Sequence, residues 1–420
     1  MTRRRSVVTG IGVTAPGGGT REEFWTRIVG GKPAIRRISV FDPALFRSQV
    51  AAECDFDPIA HGLNPREVRR LDRFVLMAMA CADEAFADAG LSQPEIDHDR
   101  MGVSLGSAVG ATIRLEEEYV VASDGGRHWE VDARHALPFL YSALVPSSGA
   151  AELAVRFGAH GPATVVSTGC TSGIDAIGHA HTLIQDGEAD IMIAGASDAP
   201  ISPITVACFD AIRATTPEND DPERASRPFD ADRKGFVLGE GAAVLIVEEL
   251  EHALARDARI YCEITGSAAR ANGFHMTGLR PDGFELGEAI AEALDQARLN
   301  PDEIGYVSAH GSGTKQNDRH ETAAYKRALG EAARRVPISS IKSVIGHSLG
   351  AIGSIEMAAC ALVIERGVLP PTANLTTPDP QCDLDYIPVV AREAAVTHAL
   401  SAGSGFGGFQ SAMIFSRFGG

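Results

Sequence analysis

No two of the seven cysteines stand at C-x-x-C spacing, and no histidine cluster at zinc spacing lies near any of them. A disulfide framework and a structural metal are therefore both disfavoured. Cys54, Cys81, Cys170, Cys208, Cys262, Cys360 and Cys382 read as reduced thiols, most of them small buried apolar groups. Long hydrophobic runs are missing too: the most apolar stretch, "FVLMAMACA" at 74–82, is too short to cross a bilayer. The opening "MTRRRSVVTGIGVTAPGGG" is basic, but its apolar part is short and broken by Gly10 and Gly12. It reads as a first strand and turn, not a secretory signal. Positive charge is in deficit: 38 Lys and Arg against 55 Asp and Glu give −17, which argues against bulk attraction to nucleic acid or anionic membranes. No low-complexity linker or charged tail interrupts the chain. These absences leave a soluble, cytoplasmic protein whose macromolecular partners are met locally.

What is present is an α/β pattern. Short β-branched runs ("SVVTGIGV", "RMGVSLGS", "ATVVSTG", "DIMIAGAS", "AAVLIVEE", "RIYCEITG", "EIGYVSAHG", "VPISSIKS", "SAMIFS") alternate with amphipathic segments such as 66–90 and 318–330. A weak echo links the halves. "ATVVSTGCTSGIDAIGHA" runs a strand into Gly169-Cys170-Thr171-Ser172-Gly173 and a small-residue helix, and "VPISSIKSVIGHSLGAIGSIEMA" does the same through Gly346-His347-Ser348-Leu349-Gly350. A duplicated unit would place His347 where Cys170 stands, with the seam near 249–260 and halves of 1–255 and 256–420. Matches of this length in Gly- and Ala-rich helices also arise by chance, and both readings stand.

The second pentapeptide also fits the Gly-x-Ser-x-Gly elbow of serine hydrolases, which would make Ser348 a nucleophile. That fold needs an acid and then a His later in the chain, and the only His that follows is His398. Cys170 competes for the role: it ends a strand and opens a helix, where free N–H groups and the macrodipole favour a thiolate. A packed core cysteine is the alternative. His310, in "YVSAHGSGTKQNDRHE", ends a strand and enters a Gly/Ser/Thr loop, a place where α/β sheets build sites, although a plain loop hydrogen bond would also account for it. Lys342, at the end of an apolar strand, needs a partner, and Glu321 or Asp318 is a candidate. A thiolate that accepts an acyl group, with two imidazoles donating to a developing enolate oxygen, would serve acyl-thioester chemistry without a metal. Gly405-Phe406-Gly407-Gly408 offers a backbone N–H for an oxyanion, or simply a tight turn.

Taken in order, these segments resemble the β-ketoacyl-acyl carrier protein synthases of the thiolase fold, from "VVTGIGVTAPGG" to "GFGGFQSAM". The nearest likeness is the ketosynthase α subunit of type II aromatic polyketide synthases, carried by "STGCTSGIDAIG", "ACFDAIRATTPENDDPERASRPFD", "AHGSGTKQNDRHETAAYKRALG", "IKSVIGHSLGAIGSIE" and "PPTANL". The resemblance implies a five-layer αβαβα fold of duplicated halves. It implies Cys170 as nucleophile, His310 and His347 as the pair for decarboxylation and condensation, and Lys342 with Glu321 as a supporting ion pair. It also implies Cys170 and Phe406 N–H groups as the oxyanion hole, and Ser312 and Thr314 as hydroxyls holding phosphopantetheine.

No cofactor or metal is implied beyond the phosphopantetheine that the acyl carrier protein brings with its malonyl or acyl load. The expected partner is a chain-length factor in a heterodimer. That companion subunit typically has Gln at the nucleophile, whereas Cys170 is kept here, and this makes the chain the condensing member. Ser404 and Phe409-Gln410 depart from the fatty-acid relatives, which leaves gating to Phe406. Ser348 then becomes a capping or packing residue. A fatty-acid-type homodimer, a Ser348 hydrolase or acyltransferase and a non-catalytic assembly subunit are the rivals. Docking of an acidic carrier needs a local basic patch, for which Arg69, Arg70 and Arg73 are candidates; a solvated helix face is the plainer account of them.

Overall fold

The computed structural model describes residues 3–91, 96–128, 133–136 and 138–419. Each of the nine β-branched runs holds a strand, and His398–Gly405, which no run marked, supplies the tenth of one sheet: β1 (Ser6–Thr14), β2 (Met101–Gly106), β3 (Ala163–Val166), β4 (Ile191–Asp198), β5 (Gly241–Glu249), β6 (Cys262–Ala271), β7 (Tyr306–Ser308), β8 (Ile338–Ser339), β9 (His398–Gly405) and β10 (Phe409–Ser416). Their spatial order is β8-β7-β9-β10-β6-β1-β5-β4-β2-β3. Read from each edge inward, both halves run third, second, fourth, fifth, first. The orientations repeat as well. β3–β2 and β2–β4 are parallel while β4–β5 and β5–β1 are antiparallel, and the series β8–β7, β7–β9, β9–β10, β10–β6 matches them one for one. The weak echo in the sequence is thus the trace of a repeated topology. The halves meet where Ser6, Val7 and Val8 of β1 pair with Ile264, Glu263 and Cys262 of β6.

The apolar run 74–82 lies in helix α1 (Arg73–Asp88), which Asp72 caps by accepting the Phe74 N–H. This helix covers β1 and β5, and Gly10 and Gly12 explain how closely. A Cβ on Gly10 would stand 2.1 Å from the Ala85 carbonyl oxygen, and one on Gly12 1.9 Å from that of Cys81. These glycines let a helix backbone lie on mid-strand β1 and do not end the strand. Helices α2 (Ser172–Gln185) and α5 (Ala351–Arg366) pack against each other and against strands of both halves, while α3 (Phe284–Ala297) lies on the far side against β6 and β10, with α4 (Lys315–Leu329) packed on α3. The two halves of the sheet thus fall in five layers: helix, half-sheet, helix pair, half-sheet, helix pair. Glycine permits the central contact too: a Cβ on Gly173 would meet the Ser354 nitrogen at 2.3 Å, and one on Gly353 the Ile174 nitrogen at 2.8 Å. Among the described residues no helix is long and apolar enough to cross a membrane.

Candidate active site

The loops after the third strand of each half carry Cys170 and His347, and the loop after β7 carries His310. All three line one cavity of about 60 Å³ together with Phe209, Phe236, Ser312, Thr314, Asn317, Leu349, Ser404 and Phe406.

Cys170 sits in a single 3-10 turn, Gly169–Thr171, that leads into α2. The Gly169 backbone is left-handed (φ 60°), and a Cβ there would press within 2.9 Å of the Phe406 carbonyl oxygen. That closeness brings the N–H groups of Phe406 and of Cys170 itself toward the sulfur. Burial nonetheless pushes the thiol up to about 11, against the Lys342 charge and those two N–H groups. The helix start does not by itself yield a resting thiolate; desolvation wins, and a base must remove the proton.

His347 is placed by its backbone, donating its N–H to the Val237 carbonyl at 2.8 Å and accepting from the Gly239 N–H at 2.9 Å. Its ring stands edge-on to Phe236 at 5.3 Å and to His310 at 5.2 Å, the two imidazoles crossing at 83°. Among the described residues neither Nδ1 has a hydrogen-bond partner. Burial, and then the Lys342 charge, hold both rings well below the usual imidazole range, so both are neutral near pH 7. Two neutral imidazoles facing one space can each donate an N–H to a single oxygen.

Glu321 does not pair with Lys342. Its Oε1 accepts the His310 N–H at 2.6 Å and the Tyr325 hydroxyl at 2.6 Å, and its Oε2 accepts the Gly311 N–H at 2.8 Å. From α4 it faces the back of the His310 loop, and Asn317 Nδ2, donating to Oε2 at 3.3 Å, takes its fourth acceptor site. Asp318 is likewise taken, by the Phe229 and Gly313 N–H groups and the Arg233 guanidinium. The partner of Lys342 is Glu356 on α5; both side chains are 1% exposed, so this is a fully buried ion pair. The signal for it was an acid in the apolar middle of the helix "AIGSIEMAACALVIER", whose other charged residues, Glu365 and Arg366, stand at its end.

Burial pushes both Glu321 and Glu356 up to about 7, with Lys342 pulling each down. Between the ordinary carboxyl value of 4.5 and about 7 the folded protein therefore holds protons that the unfolded chain has released. Stability from Glu321 is full below that window and falls as pH rises through it. Glu321→Gln removes the titration, so its unfolding midpoint relative to wild type should become more favourable between about pH 5 and about pH 8. A difference that stays level across that range would contradict the buried-carboxyl account.

Ser312 and Thr314 are brought to the cavity, their hydroxyls 3.0 Å apart, and Thr314 caps α4 by accepting the Asn317 N–H at 3.3 Å. Phe406 is 37% exposed at the mouth, its ring 6.4 Å from Phe209, which stands 5.4 Å from Phe236. Ser404 donates to Gln410 Oε1 at 2.7 Å across the β9–β10 pair.

The Ser348 hydroxyl neither pairs with a histidine nor caps α5. It is buried with no hydrogen-bond partner among the described residues, the left-handed residue of the turn is Leu349 (φ 49°), and Gly350 is the residue before α5. His398 is occupied elsewhere, hydrogen-bonded to Ser416 Oγ at 2.8 Å. Ser348→Ala, which removes an unpaired buried hydroxyl, should leave turnover within about twofold and raise stability by up to about 1 kcal/mol. Loss of turnover would restore the elbow. Of the three arginines considered for docking, Arg70 is paired with Glu152 and Arg73 with Glu240, which leaves Arg69 exposed.

Comparison with known proteins places two family models on the chain: "Beta-ketoacyl synthase, N-terminal domain" over residues 3–253 and "Beta-ketoacyl synthase, C-terminal domain" over residues 261–376. The tetracenomycin polyketide synthase ketoacyl synthase alpha subunit of Streptomyces glaucescens is 59% identical over 420 residues, 99% of each chain. A solved ketosynthase bound to a hexaketide, in complex with its type II acyl carrier protein, superposes with a TM-score of 0.93 at 37% identity over 100% of both chains. The ishigamide ketosynthase/chain length factor superposes with a TM-score of 0.90 at 33% identity, covering 100% of both chains.

Proposed function

The chain belongs to the beta-ketoacyl synthase family, and on that premise we propose that it is the condensing subunit of a type II polyketide synthase, building a poly-β-ketone from malonyl units. The observation that carries this reading is the single cavity shared by a thiol, two neutral imidazoles and two convergent backbone N–H groups. One of the neutral imidazoles takes the Cys170 proton as the sulfur attacks the thioester that an acyl carrier protein presents; the new sulfur–carbon bond forms, the bond to the carrier sulfur breaks, and the carrier thiol leaves with that proton. The flanking Cys170 and Phe406 N–H groups hold the oxyanion. Malonyl carrier protein enters next, its pantetheine arm hydrogen-bonded by Ser312 and Thr314. The bond to its carboxylate breaks, CO2 departs, and the electron pair moves onto the thioester oxygen, which receives N–H groups from His310 and His347. The resulting carbanion attacks the Cys170 thioester; a carbon–carbon bond forms, the sulfur leaves as a thiolate and takes a proton from water, and the chain is two carbons longer on the carrier.

In this scheme Glu321 fixes the His310 loop, and the Lys342–Glu356 pair sets the charge behind the site. No cofactor stays with the enzyme; phosphopantetheine arrives as part of the substrate. The solved relatives support a carrier protein and a chain-length factor as partners; we place the assembly, a heterodimer with the latter, in the cytoplasm. The decisive experiment incubates the protein with malonyl carrier protein, with and without a chain-length-factor subunit, and follows CO2 and product mass. Repeated two-carbon extension only with the partner is expected. Extension of an acyl primer by the protein alone would move it to fatty-acid-type condensation as a homodimer.

A further inference from the structure

Asp198 ends β4 fully buried, and no step above uses it. Its carboxylate accepts four hydrogen bonds: Oδ1 from Ser107 Oγ at 2.7 Å and the Val109 N–H at 3.2 Å, Oδ2 from the N–H groups of Ala108 at 2.9 Å and Gly350 at 2.7 Å. Every partner donates or, in the case of the hydroxyl, can. A protonated carboxyl would turn an O–H toward N–H groups, so the arrangement calls for the ionised form, although burial pushes the group up to about 6. Three of the donors belong to the loop leaving β2. The fourth, Gly350, lies three residues past His347 at the head of α5. The corner has no slack: a Cβ on Gly350 would stand 2.6 Å from Asp198 Oδ2, and one on Gly106 2.5 Å from the Ser172 carbonyl oxygen at the head of α2.

We infer that Asp198 is a positioning residue for the condensation, tying the head of the His347 helix to the β2 exit loop at the corner where the Cys170 helix begins. The inference rests on the roles proposed above for Cys170 and His347. The charged groups acting on the sulfur are Lys342, which favours the thiolate, and Asp198, which opposes it; His310 and His347 stand neutral across the cavity. Removing the carboxylate charge therefore does two things of opposite sign. The Cys170 thiol ionises more readily, while the His347 helix loses its tie. A residue serving only as scaffold would produce the second effect alone.

The test compares Asp198→Asn, which turns an amide N–H toward the donors, with Ser107→Ala, which removes one bond and leaves the charge. Iodoacetamide alkylation of Cys170 is followed against pH by mass spectrometry, and condensation is measured in the reconstituted system. In Asp198→Asn the alkylation midpoint should fall by about half a pH unit or more, and condensation by about tenfold or more. Ser107→Ala should lower condensation by about threefold with the midpoint in place. An unmoved midpoint in folded Asp198→Asn, or wild-type condensation in either variant, overturns the inference. Should Asp198→Asn fail to fold, the Ser107→Ala result decides. Cys170→Ala run alongside keeps the two questions apart: condensation persisting there overturns the underlying reading, whereas its loss beside a wild-type-like Asp198→Asn overturns this inference alone.

Discussion

Cys170→Ala should abolish condensation, by about a thousandfold or more, while leaving CO2 release from malonyl carrier protein measurable. The split follows from which groups each half-reaction needs. Chain extension requires a sulfur to hold the electrophile, and the other six cysteines do not line the cavity. Decarboxylation requires only an oxygen-stabilising pair, and His310 and His347 do not depend on the thiol for their placement. His310 is held through the Glu321 carboxylate and His347 through the Val237 and Gly239 backbone. Mass spectrometry of the products in the complete system reads the first effect and labelled CO2 the second. Normal extension by the variant would sink the nucleophile assignment.

Lys342→Met should be nearly as damaging, for a different reason. It strands Glu356 in a site 1% exposed, and an uncompensated buried charge costs about 3–5 kcal/mol. Replacing both partners, as Lys342→Met with Glu356→Leu, should recover most of that stability, because a well-packed apolar pair can substitute for a buried ion pair at little cost. Condensation should not recover with it. Lys342 also supplies the positive charge that favours ionisation of the Cys170 thiol and adds to the burial that keeps the two imidazoles neutral, and the double variant lacks that charge. Denaturant midpoints for the three variants, read beside turnover, separate packing from chemistry. A single variant as stable as wild type would show that Glu356 finds another proton or partner.

The parts of the site that were legible beforehand share one property: each stands at a strand-to-helix junction, where a short motif and a change of hydrophobic period announce it. Cys170, His310 and His347 are of this kind, and so was the repeat, whose faint pentapeptide match turned out to be a full repetition of strand order. The parts that escaped depend on which faces of separate elements meet. Lys342 could be assigned Glu321, Asp318 or Glu356 by chemistry alone; that α4 turns its acids toward the His310 and Gly313 loops, while α5 turns Glu356 toward Lys342, is decided by packing between layers. Asp198 was hidden for the same reason, being one polar residue at the end of an apolar strand whose four donors come from two distant segments. At Cys170 the helix start and the Lys342 charge favour the thiolate, but desolvation, which depends on the packed surroundings, outweighs them.

The cavity at Cys170, about 60 Å³, has room for on the order of five water molecules at about 10–15 Å³ each. A growing polyketone gains a carbonyl and a methylene on every turn, yet the chamber that forges the bond has no room to store the result and no graduation by which one turn differs from the next. The odometer of such a catalyst lies elsewhere, in walls that yield or that a second subunit lends. Product length and bond-forming skill should accordingly be separable traits: a change at the thiol, the imidazoles or their supports alters how fast the meter advances, and only a change beyond that chamber alters the reading at which it stops.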